Sequence, residues 1–163
     1  MTSATHSEEA AFYRAALLLG LVRGDEVIRW ADEVLGSDAS APVALAEVAT
    51  TPADDLTRMR HHLYEAGGQK ESGEVIRRLI GLVHRDLVSS RRSFADTMTV
   101  IKQLRAFVTV DRTLNEQLKT LGLDVAVAPP GSPQRAAAEQ RVRDWLRKYD
   151  SDADAFIESP ERP

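Results

Sequence analysis

Between Gly73 and Ser90 the apolar residues Val75, Ile76, Leu79, Ile80, Leu82, Val83 and Leu87 recur three and four apart. That spacing gathers them on one arc of a helix, whereas a strand would scatter them over both faces. The arc is wider than the stripe a surface helix needs, so this helix is expected near the centre of the fold. Narrower stripes between helix starts and stops fill the rest of the chain. Together they predict a single all-α domain over residues 1–150, with about seven or eight helices in a compact bundle or a short stack of helical hairpins.

Local signals set the expected boundaries. Ser7, followed by Glu8 and Glu9, is expected to cap a first helix with Phe12, Ala15, Ala16 and Leu19 inward and a stop at Gly20-Leu21. Gly24 or Asp25 opens a second helix that runs to Leu35 and ends at Gly36, with Val27, Ile28, Ala31, Val34 and Leu35 inward. Ser40 and Pro42 start a short third helix through about Ala49. In Thr51-Pro52-Ala53-Asp54 a capping threonine precedes a first-turn proline and an acid. That run predicts a fourth helix, with Leu56, Met59 and Leu63 inward and a stop at Gly67-Gly68.

Ser93-Phe94-Ala95-Asp96 reads as a further start, so the chain breaks there and a sixth helix carries Phe94, Met98, Ile101, Leu104 and Val108. Asp111 is expected to cap a seventh helix with Leu114, Leu118 and Leu121, stopped by Gly122. Asp124 to Gly131, with two prolines and a glycine, is expected as a loop. Ser132-Pro133 opens the last long helix, striped by Ala138, Val142, Trp145 and Tyr149. Residues 151–163 read as an acidic, partly mobile tail.

A chain of 163 residues can bury a sizeable core in one domain. The absence of cysteine excludes disulfides, thiolate zinc sites and cysteine nucleophiles, and it suits a reducing, cytoplasmic setting. The longest apolar run, Ala15 to Val22, is far short of the roughly 20 residues a bilayer span needs. Met1 to Glu9 supplies no basic region ahead of that apolar stretch, so neither a membrane span nor a secretory signal is expected. The net charge of −4 is unevenly spread: residues 1–67 hold 11 acids and 5 bases, and residues 68–112 hold 5 acids and 9 bases.

The residue types that catalysis needs are sparse. GxxxxGK[ST], GxGxxG and GxSxG are all absent. His61 and Glu65, four apart, share a helix face and resemble a metal pair. That face lies opposite Leu56, Met59 and Leu63, where no sheltered three-ligand cavity can form, so no metal or other cofactor is expected. His84 borders the wide arc and is expected to pack with one nitrogen satisfied. Asp25-Glu26, Asp32-Glu33 and Asp54-Asp55 are sequence neighbours, and neighbours on a helix diverge by about 100°. They do not converge on a substrate, and the chain is expected not to be an enzyme.

Two surfaces remain. Arg77, Arg78, Arg85, Arg91 and Arg92 make the middle of the chain basic, an alternative site for nucleic-acid phosphates. No aromatic residues interleave with them for base stacking, and the overall charge is negative, both of which argue against nucleic acid. The second predicted helix presents Asp25, Glu26, Arg29, Asp32 and Glu33 outward, with Trp30 at the margin. An aromatic beside acids suits a protein contact, unless the ring covers the core edge.

The stretch Gly20-Leu21-Val22-Arg23-Gly24-Asp25-Glu26-Val27-Ile28-Arg29-Trp30-Ala31-Asp32, with Pro42 and the leucine-containing helix after it, resembles a group of small helical bacterial proteins of unknown function. The resemblance spans about the first 65 residues. Some of that group are encoded beside polymorphic toxins, which implies an immunity role, and the resemblance carries over no catalytic residue. The function expected is therefore binding of another protein through Asp25, Glu26, Trp30, Asp32 and Glu33, in its most concrete form inhibition of a basic effector.

Overall fold

The computed structural model describes residues 3–108 and 111–154. Among them there are eight α-helices, one short 3-10 helix and no strand, so the chain is all-helical. The helices are α1 (Ser3–Leu18), α2 (Gly24–Ser37), α3 (Ala44–Thr50), α4 (Leu56–Glu65), α5 (Gly73–Val88), α6 (Phe94–Leu104), α7 (Arg112–Val127) and α8 (Pro133–Arg147), followed by the 3-10 turn Asp150–Asp154. The chain divides into two compact units, residues 1–75 and 76–163. Of the acidic tail, residues 155–163 lie outside the described residues.

In the first unit α1 packs on α4, α2 on α3 and α3 on α4. The core they share includes Ala10, Leu17, Val27, Trp30, Ala31, Val34, Leu45, Val48, Met59 and Leu63. α1 ends as the glycine signal predicts. Gly20 has φ +67°, its N–H donates to Leu17 O, and the next N–H, of Leu21, reaches back to Ala16 O at 2.8 Å. This pair of bonds satisfies the last carbonyls of the helix, and it needs a residue tolerant of the left-handed region. The start differs from the expectation. α1 already runs at Ser3, so Ser7 lies within it and donates its hydroxyl to Gly67 O at 2.6 Å.

The α3–α4 corner also departs from the sequence reading. Thr51 does not cap α4. It is buried at the C-terminal end of α3, where its Oγ1 donates to Glu47 O at 2.6 Å. The cap of α4 is Asp55, whose carboxylate accepts the Arg58 N–H at 3.1 Å. Pro52 to Asp55 form a tight turn that delays the helix by one turn, with the Asp55 N–H on Pro52 O. Leu56 is consequently the first residue of the helix and is 39% exposed, while Met59 and Leu63 are fully buried. This corner seats against Gly24, where a Cβ would overlap the Ala53 carbonyl. Gly24 is there to allow that approach.

In the second unit α6 packs on α7 and α7 on α8. Leu79, Ile80 and Val83 of α5 are fully buried, in keeping with the wide apolar arc. Ser93 caps α6 by accepting the Asp96 N–H at 3.1 Å, and its own hydroxyl donates to Asp96 Oδ2 at 2.7 Å. The buried face of α6 is Thr97, Val100, Ile101 and Leu104, with Phe94 and Met98 only partly covered. It is thus rotated from the expected stripe. Thr97 can join it because its hydroxyl is satisfied internally on Ser93 O.

Two glycines read as stops lie inside helices. α2 continues past Gly36 to Ser37, and α7 continues past Gly122 to Val127. Neither glycine has a positive φ. Much of the expected 124–131 loop is therefore helix, with Leu114, Leu118 and Val125 buried along α7. Ser132 caps α8 as predicted, with Pro133 in the first turn.

Candidate functional site

The outer face of α2 is built by its amphipathic register. Val27, Trp30, Ala31 and Val34 turn inward, leaving Glu26, Arg29, Asp32 and Glu33 exposed. Glu26 accepts the Arg23 N–H at 2.7 Å and so closes the first turn, and Asp25 pairs with Arg23 at 2.8 Å. The side-chain carboxylates of Asp32 and Glu33 have no hydrogen-bond or ion-pair partner among the described residues, although the Glu33 carbonyl accepts the Ser37 hydroxyl at 2.8 Å. Trp30 does not stand at a contact surface. It is 8% exposed, lies 4.6 Å from the Tyr13 ring, and donates its Nε1–H to Glu9 at 3.1 Å. The aromatic anchor proposed from sequence is a core residue, because its ring follows Val27 and Val34 into the interface with α1 rather than the acids.

The basic segment does not assemble into one face. Arg78 is 3% exposed. Arg85 approaches Asp150, with its guanidinium on the Asp150 carbonyl at 3.4 Å, and Arg92 pairs with Asp86 at 3.6 Å. Of the five arginines read as a phosphate-binding set, Arg77 and Arg91 are the exposed ones. Charges committed to carboxylates inside the chain release few counterions, so the segment loses most of the electrostatic reach that nucleic-acid binding draws on.

Each of the four histidines has a carboxylate partner in the chain. His61 is 65% exposed and lies 3.5 Å from Glu65, which also meets His62 at 3.2 Å. His61 and Glu65 thus face solvent, as their spacing indicated. His84 is buried and satisfied on one nitrogen, Nδ1 on Asp150 Oδ1 at 2.8 Å. His6, which the sequence did not single out, bonds through Nε2 to Asp38 at 2.9 Å, and Nδ1 lies 3.5 Å from Glu9. The Ser40 hydroxyl donates to Asp38 at 2.6 Å, and together with His6 it holds the Asp38 carboxyl down to about 2 from the usual 3.8. Nothing local marks this cluster, since 32 residues separate His6 from Asp38. Among the described residues no three metal-type side chains converge.

Two grooves open in the second unit. Between α7 and α8 a groove of about 780 Å³ mixes Arg112, Arg141 and Lys148 with Glu116 and Asp124. Arg141 and Asp124 pair across it at 3.5 Å. Its aromatic wall is Trp145 against Tyr149, ring centroids 4.9 Å apart. Burial, with Asp111 nearby, pushes the Tyr149 phenol above its usual 10.0.

Between α6 and α7 lies a groove of about 580 Å³ of different character. Met98, Ile101, Leu118, Leu123 and Val125 make it apolar, and Lys102, Arg105, Lys119 and Arg135 are the charged residues that line it. Among the described residues no carboxylate lines it. The sequence reading missed this groove because it ended α7 at Gly122.

Comparison with protein-family models, curated proteins and solved structures returns no match for the chain. Among the described residues no helix is long and apolar enough to cross a membrane.

Proposed function

We propose that the chain is a non-enzymatic protein-interaction module that meets a basic partner on the outer face of α2. An immunity-like inhibitor of a basic effector is its most concrete form. The observation that carries this reading is that the exposed carboxylates of Asp32 and Glu33 have no partner among the described residues, on a helix whose other two acids, Asp25 and Glu26, are used in its own first turn and whose outer face also carries Arg29. They stand in a region, residues 1–67, with 11 acids against 5 bases. Such charge accelerates encounter with a cation-rich surface and disfavours anionic partners.

A pull-down from the source cells followed by mass spectrometry identifies the partner, and association kinetics then test the surface. Asp32→Lys with Glu33→Lys should lower the on-rate by about tenfold and flatten its salt dependence. The melting temperature should stay unchanged, because neither carboxylate has a partner to lose. Binding that is indifferent to both reversals, or a captured partner without a basic face, overturns the reading.

A further inference from the structure

We infer that the groove between α6 and α7 is a second docking site, one that receives an acidic amphipathic helix of a partner protein. It is independent of the α2 surface and calls for a partner of opposite charge.

Three features of the groove point to this occupant. First, its floor is apolar and its wall is open: Leu123 is 53% exposed, and Val127, one turn further along α7, is 77% exposed. An enclosed pocket would suit a small molecule, which is normally almost wholly buried. An open apolar row along a helix suits another helix laid into it, with anchors at i, i+3, i+4 and i+7. Second, cations stand on both walls. Lys102 comes from α6 and is exposed without an ion-pair partner among the described residues, and Lys119 comes from α7, with Glu116 only at 4.0 Å. An occupant with leucines on one face and glutamates flanking them would meet both the floor and the rims. A basic helix would be repelled from both sides. Third, Gly122 lines the groove in mid-helix, and a Cβ added there meets nothing within 4 Å. Among the described residues no turn or crowding requires glycine at that position. What glycine provides is open space on the wall.

The test uses the full chain, ¹⁵N-labelled, and a synthetic helical peptide of about 18 residues, long enough to form a helix on docking. Its leucines repeat at helical spacing and glutamates flank them. Amide shifts on titration should cluster on α6 and α7, and affinity should fall as salt rises from about 50 to about 500 mM. Gly122→Leu should fill the groove and abolish these shifts while leaving the melting temperature equal or higher, so loss of binding cannot be loss of fold. Leu123→Ser should weaken binding by about tenfold. Lys102→Glu with Lys119→Glu should transfer the preference to a peptide with lysines in place of the glutamates.

Several outcomes overturn the inference. One is equal binding of a peptide with the same composition but scattered leucines, which would reduce the effect to charge. Another is shifts located on α2, and a third is no shifts at all. Decanoate producing the α6–α7 shifts while the peptide produces none would assign the groove to a small anionic amphiphile instead.

Discussion

The outer face of α2 and the groove between α6 and α7 are both charged surfaces, and they differ in what lies beneath the charge. On α2 the carboxylates stand over a helix whose apolar residues are buried, Trp30 included, or, at Ile28 and Leu35, partly buried against the core. In the groove the lysines border apolar area that the chain leaves open at Leu123. Charge sets how fast and with whom a surface associates, while buried apolar area mostly sets how long the complex lasts. The α2 face can therefore select a partner but offers little to hold one, and the groove offers both. For this protein a run of acids is a weaker sign of a lasting contact than a strip of uncovered leucine and valine.

The comparison breaks most directly at Trp30. Trp30→Ala removes a ring packed against Tyr13 and takes from Glu9 its indole donor, leaving it His6 at 3.5 Å. It should destabilise the protein by about 3–5 kcal/mol in denaturant titration. Leu79→Ala or Ile80→Ala, in the second unit, should cost about 2–5 kcal/mol by the same mechanism. A Trp30→Ala protein that melts normally would return the ring to the surface and give α2 the anchor it otherwise lacks.

A smaller effect, of opposite sign, should follow at Gly122. If Gly122 is an ordinary interior residue of α7, Gly122→Ala should stabilise the protein by about 0.5–1 kcal/mol, since alanine loses less backbone entropy in a helix. If Gly122 were a stop in the left-handed region, the same change would destabilise, and the groove wall built by Leu123 and Val125 would go with it. The sign alone decides.

Gly122 also shows what the sequence could and could not convey. Leu114, Leu118, Leu121 and Val125 are spaced i, i+4, i+7 and i+11, and so are Ala138, Val142, Trp145 and Tyr149. Both series trace a helix stripe, the first running through Gly122 inside α7 and the second along α8 to Tyr149, two residues past its end. Periodicity reports the packing of the whole stripe, whereas a glycine is only permissive, so the stripe was the better guide. The same lesson covers Thr51-Pro52-Ala53-Asp54. Threonine and proline each have a local meaning that fits a helix start. Which residue caps, however, was settled by burial of Thr51 on Glu47 and by the approach of the corner to Gly24.

The helices, the caps at Ser93, Asp111 and Ser132, the stop at Gly20 and the apolar positions of α5 were legible because they depend on neighbours within one or two turns, whereas the starts read at Ser7, Ser40 and Thr51 were not. The groove, the His6–Asp38 pair and the dispersal of the arginines were not, since each depends on residues from different elements. Cap identity is testable at small scale. Asp55→Ala should cost about 0.5–2 kcal/mol, and Asp54→Ala less than about 0.5 kcal/mol.

The last contrast lies among the acids of the first unit. The carboxylates of Asp32 and Glu33 have no partner among the described residues, whereas Asp38 is tied by Ser40 and His6 to the start of α1. A carboxyl held at about 2 in the folded chain, against 3.8 in its absence, favours the folded state while it is ionised. That contribution is complete above pH 3.8 and declines as pH falls through the window down to about 2. Acid titrations of stability should therefore steepen across that window, and Asp38→Asn should flatten them there. Ser40→Ala removes the largest cause of the depression, the hydroxyl bond, and should draw the carboxyl back toward 3.8, narrowing the window from below. His6→Gln should act in the same direction but less, because its bond ranks after that of Ser40. An acid limb that is identical in wild type and Asp38→Asn would show that the carboxylate is as uncommitted as Asp32 and Glu33. The acidic surface open to a basic partner would then extend past the end of α2 to Asp38.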